Sequence, residues 1–200
     1  MEYAYLQLAQ DQAAKRVLDD MNALEKINVE HFVSAYALAA IPARYALERR
    51  QWSEAAALTL PRTDFPWDRF PQSEAVLVFA RGLGSAHSGD IGAARKDLTR
   101  LQELREALAA AKLQYWQEQV DIQHQVVAAW IAFAEGKHQE ALQLMRTAAD
   151  RENASEKATV TPGPIIPARE LQGDMLLALN EPQQALQAFE ASMRIEPQRF

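Results

Sequence analysis

The sequence predicts an all-α protein built as a stack of helical hairpins, and three observations lead to this prediction. Leu, Ala, Gln, Glu and Arg dominate the 200 residues, whereas the β-branched residues are sparse. Apolar residues recur with helical spacing between breaks at Gly, Pro and Asn. A short phrase centred on alanine also returns at a nearly constant interval. Because alanine lets two helix backbones approach closely, such repetition is typical of stacked hairpins. The five alanines are Ala14, Ala55, Ala94, Ala141 and Ala185.

The first half of the chain is divided into helices of unequal length. Periodic apolar residues predict a long helix over residues 34–50 and a shorter one over 52–60. Residues 61–72 contain three prolines and three aromatic residues, and we predict a loop there. The next helix is predicted to begin at Ser73 and to end near Gly89, because glycine suits the left-handed conformation that closes many helices.

The middle of the chain continues this alternation. Asp90 is predicted to cap a helix with one apolar stripe. The following helix, residues 113–135, has two apolar faces, which indicates contact with a helix on each side, and Gly136 ends it. The inward stripe of the next helix is predicted to contain Ala141, Met145 and Ala148.

The last third contains a second predicted loop. Residues 153–167 include the run Thr-Pro-Gly-Pro-Ile-Ile-Pro, whose prolines lack N–H donors and restrict the residues before them. For this loop we prefer a covering or spacing role. A final helical pair is predicted over residues 168–179 and 182–195.

These repeats resemble the tetratricopeptide (TPR) family, whose units of about 34 residues carry a small residue, an aromatic residue, an alanine and a proline at fixed positions. The last repeat matches best, with Gly173, Ala185, Phe189 and Pro197. Successive anchor alanines are 41, 39, 47 and 44 residues apart, so the repeats are stretched. HEAT-like and other α-α arrays stay open as alternatives.

The resemblance implies a right-handed α-α superhelix of about four to five helical hairpins. The approximate repeats are residues 1–28, 29–71, 72–111, 112–160 and 161–200. Neither end carries a polar capping helix, so we expect the chain to be a segment of a longer array. Uncapped end repeats would also favour self-association.

Composition limits the function classes. A net charge of −6 without a basic run disfavours nucleic-acid binding. The absence of cysteine excludes disulfides, thiolate zinc sites and thiol catalysis. No stretch reaches the roughly 18 apolar residues of a membrane span. The sequence leaves the compartment open, with the cytoplasm favoured because no signal peptide is recognisable.

Patterns typical of catalysis are scarce. Asp121 and His124 have an i, i+3 spacing that can share a metal, with Glu118 one turn earlier, but the second copy that di-iron bundles need is missing. We therefore interpret these residues as a solvated polar face. Gly82 and Gly84 lack the preceding strand of a phosphate-binding loop, and close helix packing explains them better. The sequence predicts no enzyme activity, no metal site and no cofactor.

The resemblance also implies where a partner binds, because the first helices of TPR hairpins line a groove. The groove is predicted to be preformed, so that a peptide or helix binds with little ordering cost. No cluster of Lys, Arg and Asn suited to an acidic chaperone tail is recognisable. For Trp130 and Phe133 we prefer a role as core residues between hairpins, with groove binding as the alternative. The candidate groove residues are Arg44, Glu48, Phe79, His87, Trp130, Phe133, Glu170 and Asp174.

The loop at residues 61–72 gives three further candidates, Phe65, Trp67 and Arg69. In the interpretation that we prefer, its aromatic side chains cover the junction of two hairpins. Alternatively, they form an exposed hot spot for a partner.

The expected function is that of a protein–protein interaction scaffold. One alternative is an architectural or self-association segment of a larger protein. A less favoured alternative is a small-molecule or metal-binding helical enzyme domain, which would need clustered ionisable groups in one pocket.

Overall fold

A computed structural model describes residues 1–155 and 163–195. Within these residues the structure contains ten α-helices, one 3-10 turn at Trp67–Arg69 and no strand, so the all-α prediction is confirmed. Predictions that concern residues 156–162 and Pro197 lie outside the described residues. The helices are α1 (Glu2–Gln7), α2 (Asp11–Asn22), α3 (Phe32–Glu48), α4 (Trp52–Ala56), α5 (Pro71–His87), α6 (Ile91–Ala110), α7 (Gln114–Ala134), α8 (His138–Ala154), α9 (Ala168–Ala178) and α10 (Pro182–Ile195).

Most helix ends follow the predicted local chemistry. Asp90 caps α6, since its Oδ1 accepts a hydrogen bond of 2.9 Å from the Ala93 N–H. Gly89 and Gly136 close α5 and α7 with φ values of +81° and +77°, which glycine adopts without steric cost. The ends of the last two helices also agree with the predicted breaks.

Several predicted boundaries are wrong by a few residues. Helix α3 spans Phe32–Glu48 instead of residues 34–50. Helix α4 ends at Ala56 instead of residue 60, and the Leu58 carbonyl beyond it accepts a hydrogen bond of 3.4 Å from the Arg81 guanidinium. Helix α5 begins at Pro71, because a proline in the first turn needs no N–H partner and has a helical φ. Helix α8 continues to Ala154, into the predicted loop.

The helices contact one another largely in chain order. Each helix from α5 to α10 packs against the next, and α3 packs against α4. The odd-numbered helices also form a series, because α1 contacts α3, α3 contacts α5 and α5 contacts α7. Helix α5 contacts α3, α4, α6 and α7 and is therefore buried along nearly its whole length.

Small residues mark the tightest packing, as the sequence predicts. All five anchor alanines are completely buried, with an exposed fraction of 0%. Helix α4 lies directly on the backbone of α5: a Cβ atom added to Gly84 would be 2.3 Å from the Ala56 nitrogen and 2.6 Å from the Trp52 oxygen. Gly82 lies against Val127 of α7. Close helix packing therefore accounts for both glycines of α5.

Buried ion pairs join the two helices of the central hairpin. The guanidinium of Arg81 on α5 donates to both carboxylate oxygens of Asp97 on α6, at 2.9 and 3.0 Å from its Nε. Arg100 on α6 makes a bidentate contact with Glu74 on α5, at 2.8 and 3.1 Å. Both carboxylates are buried, so these pairs fix the register of the two helices.

Candidate functional site

Helices α3, α5 and α7 lie side by side and present a common surface, which we call the inner face. Several residues predicted to line a groove lie on these three helices, among them Arg44 on α3 and Phe79 on α5. The surface carries apolar side chains, amide side chains and one arginine. The inner face is formed by Tyr36, Arg44, Gln72, Val76, Phe79, Gln119, Ile122, Gln123 and Val126.

The inner face is covered by another part of the same chain. Residues 163–167, which form no helix, cross it just before α9 begins. Ile165 and Ile166 are each only 2% exposed. Arg44 of α3 donates a hydrogen bond of 3.3 Å from its Nη1 to the Ile165 carbonyl, across 121 residues of sequence. We call residues 163–167 the covering segment. The surface on which a preformed groove was predicted is therefore occupied by the chain itself, and the groove candidate Phe79 is buried.

Two small cavities of about 30 Å³ each separate the covering segment from the inner face. Each has room for about two water molecules. Gln72 and Gln123 line the first cavity, and Gln123 also lines the second. The side-chain oxygens of both glutamines are buried without a hydrogen-bond partner in the described part of the chain. The covering segment therefore supplies no donor to these two oxygens.

An aromatic stack lies beside the inner face at the carboxyl end of α5. His87 is sandwiched between Trp52, whose ring is parallel at a centroid distance of 3.7 Å, and Trp130 at 3.9 Å. Trp130 in turn contacts Phe133 edge-on at 5.2 Å. Burial, together with the positive charge of Arg50, lowers the pKa of His87 to about 4, so the imidazole is neutral at pH 7.

The charged groove candidates form intramolecular contacts. Arg44 is 3.5 Å from the Glu48 carboxylate. Arg50, at the end of α3, contacts Glu170 at 2.7 Å and Asp174 at 3.0 Å. These two ion pairs link α3 to α9. Arg50 was missed by sequence reasoning, because nothing in its local pattern indicates a partner 120 residues away.

The candidates in the loop 61–72 lie mostly in the core. Phe65 and Trp67 are buried with Phe70, and the Trp67 indole N–H donates a hydrogen bond of 3.2 Å to the Pro61 carbonyl. Arg69 is exposed and contacts Glu30 at 2.7 Å. The two aromatic candidates therefore lack the exposure that a hot spot needs, and their burial agrees with the covering role.

The possible metal ligands on α7 are engaged elsewhere. Burial alone would raise the pKa of Asp121, but hydrogen bonds from Arg105 and Arg151 hold it below its usual value. Arg151 also makes a bidentate contact with Glu118, at 3.0 and 2.8 Å. Burial lowers the pKa of His124. Residues 1–155 and 163–195 contain no group of three or more His, Asp or Glu side chains suited to a metal ion.

Most groove candidates lie in two groups. One group lies at the covered inner face and the other forms the aromatic stack with its neighbouring ion pairs. No family model, no curated protein and no solved structure matches this chain. Across the described residues, every helix is too short or too polar to cross a membrane.

Proposed function

We propose that this chain is a TPR-like interaction scaffold, a right-handed α-α superhelix that binds a non-helical peptide segment of a protein partner on its inner face. The sequential packing of α5 to α10 and the five buried alanines support the repeat architecture. The occupied inner face supports the binding role. A surface that already holds a non-helical segment of its own chain has the shape and the chemistry for such a ligand.

The contacts of the covering segment indicate how a peptide is recognised. Apolar side chains of α5 and α7 receive two isoleucines, which supply the buried area. Arg44 supplies a directed contact to a main-chain carbonyl. Gln72 and Gln123 carry amide groups that can pair with a peptide backbone whatever its side chains. Apolar contacts then select side chains, and the polar groups fix the direction of the bound strand.

Peptide selection tests this proposal for a partner of any sequence. A random peptide library is displayed and selected on the full chain, and the enriched peptides are measured against two arginine variants. Because Arg44 also holds the internal Ile165 carbonyl, its variant is compared in an Ile165→Ser/Ile166→Ser background, in which the internal segment competes less. In that background we expect Arg44→Gln to weaken the peptides by roughly tenfold, the equivalent of about 1.4 kcal/mol for one charge-assisted hydrogen bond. Arg146→Gln is the matched control, because Arg146 lies exposed on α8, away from the inner face. No enrichment, or enriched peptides that bind equally to Arg44→Gln, would refute the proposal.

A further inference from the structure

We propose that the covering segment occupies the inner face in the free protein and is displaced when a partner binds. The partner is a peptide with two adjacent β-branched apolar residues, preceded by a residue that has a free backbone N–H. This inference rests on the proposed function, since it specifies the ligand and the regulation of the same surface. The partner binds by replacing residues 163–167.

The covering segment makes the contacts of a ligand. Ile165 and Ile166 bury their side chains in the inner face, and the Ile165 carbonyl accepts the hydrogen bond from Arg44. A competing peptide therefore needs two apolar side chains in succession and one main-chain carbonyl. β-Branched residues suit these positions because they lose little side-chain freedom on binding.

The same segment lacks one group that the inner face can use. Pro164 lines both cavities, and proline has no N–H to donate. The side-chain oxygens of Gln72 and Gln123, which have no hydrogen-bond partner in the described part of the chain, line the same cavity as Pro164. Any residue other than proline would bring a backbone N–H to this cavity. An external peptide with such a residue can donate a hydrogen bond that the covering segment cannot donate. This difference favours replacement of the covering segment by the peptide.

Exchange can be local because α9 is anchored independently of the covering segment. Helix α9 packs against both α8 and α10. Arg50 holds its first turns through Glu170 and Asp174, and the Ala168 N–H donates a hydrogen bond of 2.8 Å to the Glu152 carboxylate. Residues 163–167 can therefore leave the inner face while α9 and α10 stay folded.

Two synthetic peptides test the inference on the full chain. The first, Thr-Pro-Gly-Pro-Ile-Ile-Pro-Ala, copies residues 161–168, and the second, Thr-Pro-Gly-Ala-Ile-Ile-Pro-Ala, replaces only the proline equivalent to Pro164. We expect the second peptide to bind at least fivefold more tightly than the first. A Gln72→Met/Gln123→Met variant, which keeps the side-chain length but removes both acceptors, should abolish that preference. A preference that survives in this variant would overturn the assignment of the two glutamines.

Weakening the internal occupant should strengthen external binding. We expect Ile165→Ser/Ile166→Ser to bind the second peptide at least tenfold more tightly than the wild type. The matched control is Leu177→Ser/Leu186→Ser, which removes two leucines that are exposed on α9 and α10 and should leave the affinity unchanged. Equal affinity of the wild type and the isoleucine variant, both shown to be folded by circular dichroism, would overturn displacement.

Side-chain NMR of the wild type keeps the inference testable even if the isoleucine variant does not fold. Saturation with the second peptide should move the methyl resonances of the buried Ile165 and Ile166 to the positions of exposed isoleucines, while the α9 amides stay protected from hydrogen exchange. Binding without that change would place the peptide elsewhere and overturn this inference, while library peptides that depend on Arg44 would still support the scaffold. If neither the library nor the synthetic peptides bind any folded form, both proposals fall.

Discussion

Replacing Gly84 with alanine tests the close packing on which the repeat architecture depends. The added methyl group would meet backbone atoms of α4: the Ala56 nitrogen at 2.3 Å, the Trp52 oxygen at 2.6 Å and the Ala55 carbonyl carbon at 2.8 Å. None of these atoms can rotate away as a side chain can. Helix α4 must therefore shift by roughly 1 Å to restore normal contact distances, as expected in a densely packed interior.

Two opposing effects determine how much Gly84→Ala changes the free energy of unfolding. Alanine is intrinsically better than glycine inside a helix by about 1 kcal/mol. Overpacking a well-filled interior costs about 1–3 kcal/mol, and more when backbone must move. Because all three clashes at Gly84 are with backbone, we expect a net loss of about 2 kcal/mol in the free energy of unfolding.

Two other glycines provide the comparison. At Gly92, exposed in the first turn of α6, a methyl group would meet only the Asp90 Oδ1 at 3.5 Å, so Gly92→Ala should be neutral or stabilising by up to about 1 kcal/mol. At Gly173 the clash is with the Phe189 ring, at 2.4 Å, a side chain that can move. Gly173→Ala should therefore fall between the other two variants.

Urea denaturation followed by tryptophan fluorescence and by circular dichroism measures all three variants against the wild type. The order of stability should be Gly92→Ala, then Gly173→Ala, then Gly84→Ala. If Gly84→Ala were as stable as Gly92→Ala, α4 would not rest on the backbone of α5, and the explanation of the small residues as packing contacts would fail.

Three further substitutions test other parts of the structure. Trp67→Ala should destabilise the fold by about 3–5 kcal/mol in urea denaturation, because it removes a buried indole, and an unchanged midpoint would contradict the covering role. Asp97→Asn should cost about 2 kcal/mol by the same measurement, since it leaves the Arg81 guanidinium without its carboxylate, whereas equal stability would mean that the pair contributes nothing. The pKa of His87 lies near 4 in the folded protein and near 6.5 in the unfolded chain, so the unfolded state binds the proton more tightly. The neutral His87 imidazole therefore contributes its full stabilisation of the folded state above pH 6.5. As the pH falls from 6.5 to 4, the free energy of unfolding decreases by about 3 kcal/mol. Glu2 titrates in an overlapping range, with a pKa raised to about 8 mainly by burial, so the measured quantity is the difference between wild type and His87→Gln at each pH. A difference that does not change with pH would refute the burial of a neutral imidazole.

The fold was predictable where local chemistry decides it. The bounds of α10 and the cap at Asp90 depend on residues next to them in sequence. The anchor alanines were predictable because only a small side chain permits close approach at each crossing, and repetition makes that signal visible. One error arose because proline can either begin a helix or interrupt one. Pro71 begins α5, whereas the other prolines of the same loop lie outside helices.

The candidate site was predictable only in part, because its decisive contacts join residues that are far apart in sequence. The TPR resemblance implied Arg44 and Phe79, but it could not indicate that Ile165 lies against them. Such a contact depends on the path of the chain between α8 and α9. A run of prolines predicts that the chain between α8 and α9 is not helical. It does not predict which surface this part of the chain crosses. The same limit explains why Arg50 was missed.

If the inner face binds peptides as we propose, a cover over it also protects the protein from aggregation. Val76, Phe79, Ile122 and Val126 would form a contiguous apolar patch if residues 163–167 were absent, and exposed patches of this kind promote association. An internal cover prevents this, but a cover with perfect complementarity would exclude every partner. In our proposal, the covering segment protects this surface and gives way to a peptide whose backbone N–H pairs with the Gln72 and Gln123 oxygens. The lack of an N–H at Pro164 is then the feature that lets an external peptide compete with the internal segment.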